Sequence, residues 1–143
     1  MIFVKDIMTR EVATVGPKQS MRDAATIMAK AHAGSLVVTD KKKIMGIVTE
    51  GDISRALSKG GDPDRISIRE IMSKELVTVS PGLKVEEAAK LMAEKHIKKL
   101  PVMEGGILVG IVTQTDIVAS SFDLVTSLKE MVRARYRPPD FQP

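Results

Sequence analysis

GIVTEGDI, residues Gly46 to Ile53, returns as GIVTQTDI at Gly110 to Ile117 in a chain of 143 residues. The shift that carries Gly46 onto Gly110 also aligns Val4 to Ile53 with Ile68 to Ile117, without a gap. Ile7-Met8 falls on Ile71-Met72, Thr14-Val15 on Thr78-Val79, Pro17 on Pro81, His32 on His96 and Leu36 on Leu100. Chance does not keep a register that long. The chain is a tandem duplication, and a duplication bounds the architecture before any other signal.

Each copy reads as β-α-β-β-α. Val12–Val15 and Leu76–Val79 are short β-branched runs closed by Gly16-Pro17 and Ser80-Pro81, the pattern of a strand entering a turn. Met21, Ala24, Ala25, Met28 and Ala31 then recur at helical spacing, and Val85, Ala88, Ala89 and Met92 repeat the stripe. Ser20 and Asp23 have capping-box spacing, while Glu86-Glu87 suit the positive first turn of the second helix. Two strands follow in each copy, Ser35–Thr39 with Ile44–Thr49 and Leu100–Met103 with Ile107–Thr113. Asp40–Lys43 and Glu104–Gly106 supply the tight turns between them. A second helix is expected at Ile53–Ser58 and at Ile117–Phe122.

A unit of about fifty residues has little core of its own. The two copies are therefore expected to bury a face against each other, in an α+β fold. The divisions expected are a first repeat over 1–58, a linker over 59–66 and a second repeat over 67–122. Residues 123–143 would form a closing helix through Leu124, Leu128 and Met131, followed by a basic tail.

Composition excludes several classes. The chain is 43% apolar and 28% charged, as in an ordinary soluble globular protein. No apolar run approaches the ~20 residues that cross a bilayer, so no membrane partner is expected. Met1 to Asp6 has no basic stretch ahead of an apolar one, so no secretion signal is expected. The absence of Cys removes disulfides and thiolate metal sites and suits a reducing cytoplasm. The net charge of +4 favours anions, from nucleotides to RNA. Much of it is local, in Lys41–Lys43 and in Lys129, Arg133, Arg135 and Arg137. With only 3% aromatics there is little to stack on bases, so nucleic acid is a weakly supported partner.

The motif Thr49-Glu50-Gly51-Asp52 has two readings. Thr followed three residues later by an acid is the spacing of a capping box. A β-to-α turn also suits a phosphate, because free N–H groups point outward there. A Thr hydroxyl can donate to a phosphate oxygen, and an Asp carboxylate can accept from both hydroxyls of a ribose cis-diol. The same residues can cap a helix, hold a ribose phosphate, or do both.

The pattern resembles a known family. A strand ending G-h-h-T-x-x-D, preceded by an Ala-rich helix and a strand of the Lys99-Leu100-Pro101-Val102 kind, is similar to a CBS domain. The openings VKDIM with VATVGP, and IREIM with LVTVSP, match as well, and the resemblance covers residues 2–122. Two such units in tandem resemble a CBS pair, or Bateman module. The resemblance implies sheet-to-sheet packing in pseudo-twofold symmetry, with two clefts that take AMP, ADP, ATP or S-adenosylmethionine. It implies that Asp52 and Asp116 hold ribose hydroxyls and that Thr49 and Thr113 touch the first phosphate. Gly16 and Ser80, with Ile47 and Ile111, would border adenine. Ser35 and Lys99 would edge the same pockets, and His32 and His96 would reach toward phosphate.

The copies differ where the cleft edge is expected. Ala33-Gly34-Ser35-Leu36-Val37-Val38 stands against Ile97-Lys98-Lys99-Leu100-Pro101-Val102, so Lys98 and Lys99 would make one phosphate environment richer. The two His have no carboxylate or Cys at ligand spacing, so no metal site is expected. No Ser, Cys or Lys nucleophile stands in a recognisable arrangement with either, so no catalytic residue is assigned and no catalytic cofactor is expected. Met8, Met28, Met72 and Met92 sit on apolar stripes and read as core. The expected function is a cytoplasmic regulatory sensor of an adenosine nucleotide that signals to a protein partner and pairs as a homodimer. Two alternatives come from other classes: a nucleic-acid-binding protein using the basic tail, and a structural dimerisation module with vestigial pockets.

Overall fold

A computed structural model describes residues 1–120, together with 129, 130 and 133. The expected closing helix through Leu124, Leu128 and Met131, the end of the helix expected to reach Phe122, and the basic tail lie outside the described residues. Each repeat forms its helix and hairpin where the sequence places them. The first contributes α1 (Val4–Ile7), β1 (Thr14–Val15), α2 (Met21–Ala31), β2 (Ser35–Asp40), β3 (Lys43–Thr49) and α3 (Glu50–Ser58). The second contributes α4 (Ile68–Ile71), α5 (Val85–Lys95), β4 (Lys99–Glu104), β5 (Ile107–Thr113) and α6 (Gln114–Ala119).

The long helices follow from their stripes and caps. Ser20 Oγ accepts from the Asp23 N–H at 3.0 Å, and the Asp23 carboxylate accepts from the Ser20 N–H at 3.0 Å. Met21, Ala24 and Met28 of α2, and Val85, Ala88 and Met92 of α5, are the residues that these helices bury. Both end the same way, on a histidine in the left-handed region, His32 at φ 51° and His96 at φ 55°. Histidine tolerates that region better than most L-residues, and the Ala33 and Ile97 N–H groups then donate back to the Met28 and Met92 carbonyls, each at 3.0 Å.

The hairpins match residue for residue. Ser35 pairs with Thr49 and Lys99 with Thr113, and each ladder slips once, between Val38 and Thr39 and between Val102 and Met103. Their turns place Lys41, Lys42, Gly105 and Gly106 at positive φ, as a two-residue turn with the twist of a hairpin requires.

The first strands differ. In the first repeat β1 runs parallel to β2, and the Val37 N–H donates to the Ala13 carbonyl at 3.1 Å. The repeat-equivalent of Val37 is Pro101, which has no N–H to donate. The strand expected at Leu76–Val79 is accordingly reduced to one bridge, Val79 to Val102.

The structure also corrects the second helices. They begin at Glu50 and Gln114, three residues ahead of the expected Ile53 and Ile117, because Thr49 and Thr113 are themselves the caps.

The two repeats are laced together by their openings. The Val4 N–H donates to the Leu83 carbonyl at 2.8 Å, and the Ile68 N–H donates to the Gln19 carbonyl at 2.9 Å. Thr9 bridges to Ile111, and its equivalent Ser73 bridges to Ile47. Val4 packs with Val79, Ala88, Met92 and Leu100, while Ile68 and Met72 pack with Val15, Ala24, Met28 and Leu36. Each repeat's short opening helix thus completes the core of the other. Asp6 and Glu70 hold the starts of these helices: Asp6 accepts from the Phe3 N–H at 2.8 Å and Glu70 from the Ser67 N–H at 2.7 Å.

Gly46 and Gly110 occur in the quoted motif because of that crossing. A Cβ at Gly110 would lie 2.9 Å from the Thr9 carbonyl oxygen, and one at Gly46 would collide with that of Ser73. The architecture is an α+β tandem pair with approximate twofold exchange.

Candidate functional site

The β-to-α turns that carry the repeated motif are closed by reciprocal hydrogen bonds. Thr49 Oγ1 accepts from the Asp52 N–H at 3.2 Å, and Asp52 Oδ2 accepts from the Thr49 N–H at 2.8 Å. Thr113 and Asp116 make the same pair of bonds, at 3.1 and 2.9 Å. Each helix start is also pinned to the loop before the hairpin, where Gly34 and Lys98 carbonyls accept from the Glu50 and Gln114 N–H groups at 3.1 and 2.8 Å. The capping reading of T-x-x-D is therefore satisfied in both copies. Capping leaves further acceptor capacity on each carboxylate, so it does not exhaust the motif.

A cleft of ≈ 630 Å³ opens between the repeats. From the second repeat it is lined by Lys99, Ile111, Thr113 and Asp116, and from the first by His32 and Ser35. Six of the residues singled out in the sequence thus converge across the junction, because the exchanged openings bring β5 against the first repeat. The bridge from Thr9 to Ile111 sets that approach. Its titratable groups are of mixed sign: Lys99 against Glu11 and Asp116, with His32 beside them. The volume falls within the range of small-molecule clefts, about 300–1,000 Å³.

Other expected residues lie elsewhere. Asp52 lines a separate depression of ≈ 480 Å³ with Arg55, Lys59, Ile66 and Glu70. Thr49 and Ile47 are half-buried at the end of β3, with Ile47 bridged to Ser73. His96 and Lys98, expected near phosphate, line a groove of ≈ 450 Å³ between α5 and α6 with Met92, Ile117 and Val118. Only Lys99 of the two expected lysines reaches the main cleft, since neighbouring residues entering a strand face opposite ways. Gly16 is held in its turn by donating its N–H to Gln19 Oε1 at 2.8 Å, and Ser80 is exposed, its carbonyl accepting from the Leu83 N–H at 3.2 Å. Neither lines the main cleft.

Sequence reasoning did not single out Thr9, Glu11 and Thr115, which do line it, or Val12 and Ala13 as site residues. The usable signal was positional: in a swapped pair, the stretch between each opening helix and the next strand must cross the junction. Among the described residues no group of three potential metal ligands converges, and no helix is long and apolar enough to cross a membrane.

An α+β unit written twice, with its openings exchanged beside a cleft of mixed polar and apolar lining, defines the class. The chain belongs to the CBS domain family, which matches it twice, over residues 4–59 and 68–123. The CBS domain-containing protein YhcV of Bacillus subtilis is 36% identical over 120 residues, spanning 84% of this chain and 86% of that one. The inosine-5′-monophosphate dehydrogenase of Korarchaeum cryptofilum is 35% identical over 114 residues, which span 79% of this chain but 23% of that protein. A solved CBS domain pair, that of protein MJ0100 in complex with 5′-methylthioadenosine and S-adenosyl-L-methionine, superposes with a TM-score of 0.77. It is 31% identical and the match covers 84% of this chain and 95% of that one.

Proposed function

We propose that this chain is a non-catalytic regulatory module that binds an adenosine compound in the inter-repeat cleft and transmits occupancy to a protein partner. The observation that carries the reading is the convergence of Thr113, Asp116 and Lys99 with His32 and Ser35 around one ≈ 630 Å³ cleft. Asp116 would accept from the ribose cis-diol, and the Thr113 hydroxyl, an acceptor in its cap, still has a proton to donate to a 5′ substituent. Ile111 and Val12 would sandwich the base. The solved pair with 5′-methylthioadenosine and S-adenosyl-L-methionine supports the ligand class, and AMP, ADP and ATP share the same nucleoside.

Signalling follows from the lacing. A ligand in the cleft touches both repeats, so it favours whichever relative arrangement gives it more contacts, by its difference in affinity and no more. The same reading places the protein in the cytoplasm as a homodimer with a regulated protein partner.

A thermal-shift series of adenosine and guanosine compounds tests it. At about 100 times its Kd a ligand adds roughly 2.7 kcal/mol of stability. Adenosine compounds should raise the melting temperature, and 2′-deoxy analogues should raise it less. Equal shifts with ribose and deoxyribose forms would remove Asp116 from its role.

A further inference from the structure

The two copies of T-x-x-D are not in the same state. Arg55 Nη2 lies 2.7 Å from Asp52 Oδ1, one helical turn away, with the Asp52 side chain 17% exposed and that of Arg55 67% exposed. Asp52 Oδ2 meanwhile accepts from the Thr49 N–H at 2.8 Å and from the Thr49 hydroxyl at 3.1 Å. Both carboxylate oxygens and the Thr hydroxyl proton of the first repeat are therefore in use. In the second repeat the position of Arg55 is held by Ala119. Among the described residues, Asp116 Oδ1 has no hydrogen-bond partner and the Thr113 hydroxyl donates to none.

A second difference makes room for the first. The Arg55 guanidinium folds back over Gly51, where an added Cβ would lie 3.2 Å from Arg55 Nη1. The equivalent of Gly51 is Thr115, whose side chain lines the open cleft. Gly51 with Arg55, and Thr115 with Ala119, are two matched pairs: one allows an arginine to close on the aspartate and the other has no arginine to place.

We propose that Arg55 is an internal latch that sets the order in which the repeats take ligand. The Asp116 cleft fills first, and the Asp52 side accepts a ribose only when the cis-diol displaces the Arg55 guanidinium. This rests on the reading of the cleft as a ribonucleoside site. The latch is an exposed i,i+3 pair and so shifts an affinity modestly; it does not abolish a site.

Calorimetry of the full chain with AMP and with 5′-methylthioadenosine tests it. Of the two wild-type sites, the tighter should be the one that Asp116→Ala weakens, about ten- to a hundred-fold. Arg55→Met keeps the aliphatic stem and removes the guanidinium. It should tighten the weaker site about two- to five-fold for both ligands and leave the tighter one unchanged. Thr115→Gly with Ala119→Arg rebuilds the latch in the second repeat and should weaken the tighter site by a similar factor. The latch is overturned if Arg55→Met leaves the weaker site unchanged. It is also overturned if that variant weakens AMP binding, which would make Arg55 a phosphate ligand. A wild type that binds neither compound sinks the site reading, and this proposal with it. Binding lost in Asp116→Ala but insensitive to Arg55 and to the rebuilt pair sinks the latch alone.

Discussion

Thr113 and Asp116 hold each other: the Thr113 N–H donates to Asp116 Oδ2 at 2.9 Å, and the Asp116 N–H returns a bond to Thr113 Oγ1 at 3.1 Å. The same carboxylate that closes the start of α6 also lines the cleft. Asp116→Ala should lower apo stability by about 1 kcal/mol through the lost cap. It should also weaken nucleoside binding about ten- to a hundred-fold, through lost charge-assisted bonds of about 1.5–3 kcal/mol. Asp116→Asn keeps an oxygen for the Thr113 N–H but loses the charge, so it should melt near wild type and still bind weakly. An Asn variant with wild-type affinity would confine Asp116 to capping.

Lys41 and Lys42 occupy left-handed backbone at φ 50° and 69°, where the second repeat has Gly105 and Gly106 at 58° and 79°. An L-residue in that region costs about 1–2 kcal/mol, against about 0.5–1 for the extra freedom a glycine loses on folding. Lys42→Gly should therefore stabilise the protein by about 0.5 kcal/mol. Gly106→Lys should destabilise it by a similar amount. Denaturant midpoints for the two variants decide this, and opposite signs are the expected result.

Ile68 is fully buried in the core of the first repeat although it belongs to the opening of the second. Ile68→Ala should cost about 2–5 kcal/mol, since the cavity lies among Val15, Ala24, Met28 and Leu36. Amide exchange should then quicken first in α2 and β2, in the other repeat. Faster exchange confined to residues 67–122 would contradict the exchange of openings.

Arg22 donates to both Asp64 oxygens, from Nε at 2.5 Å and from Nη2 at 3.1 Å, tying the start of α2 to the linker. The hydrogen bond from Arg22 holds the Asp64 carboxyl below the usual carboxylate range, with the guanidinium charge adding to it. A depressed folded value means that the contribution is present above the ordinary carboxylate range and is lost as pH falls through the folded one. Asp64→Asn should be less stable than wild type at neutral pH, and the gap should close in strong acid. The pair is exposed, so added salt should narrow the gap as well. A gap independent of pH would mean that Asp64 acts by shape alone.

Much of this fold was legible because duplication tests every reading twice. The stripe from Met21 to Ala31 and its echo from Val85 gave the helices, and Ser20 with Asp23 gave a true cap. The four-residue helices α1 and α4 were not legible, because one turn has no periodicity to detect. Their exchange was hidden for a different reason: a sequence that matches itself under a shift matches equally well whether its openings pack at home or across. Pro101 was read as a family feature of the strand, while its missing N–H decided how much of the preceding strand could form. Thr113, Asp116, Ile111 and Lys99 were expected in a cleft through the family resemblance, and they line one. Lys98 sits one position away and faces another groove, a difference of strand parity that composition does not carry. Arg55 escaped notice because its importance lies in what stands at Ala119.

The lacing of the openings has a consequence for how the chain is made. Val4 emerges from the ribosome long before Leu83 and Ala88 exist, and the first repeat is fully translated while Ile68 is still to come. The first repeat cannot close its core in the order of synthesis, so it must wait with apolar surface uncovered until Ile68 and Met72 are made. A chain cut short between the repeats lacks Ile68 and Met72 from the interior of the first repeat, and Val4 then has no second repeat within the same chain to enter.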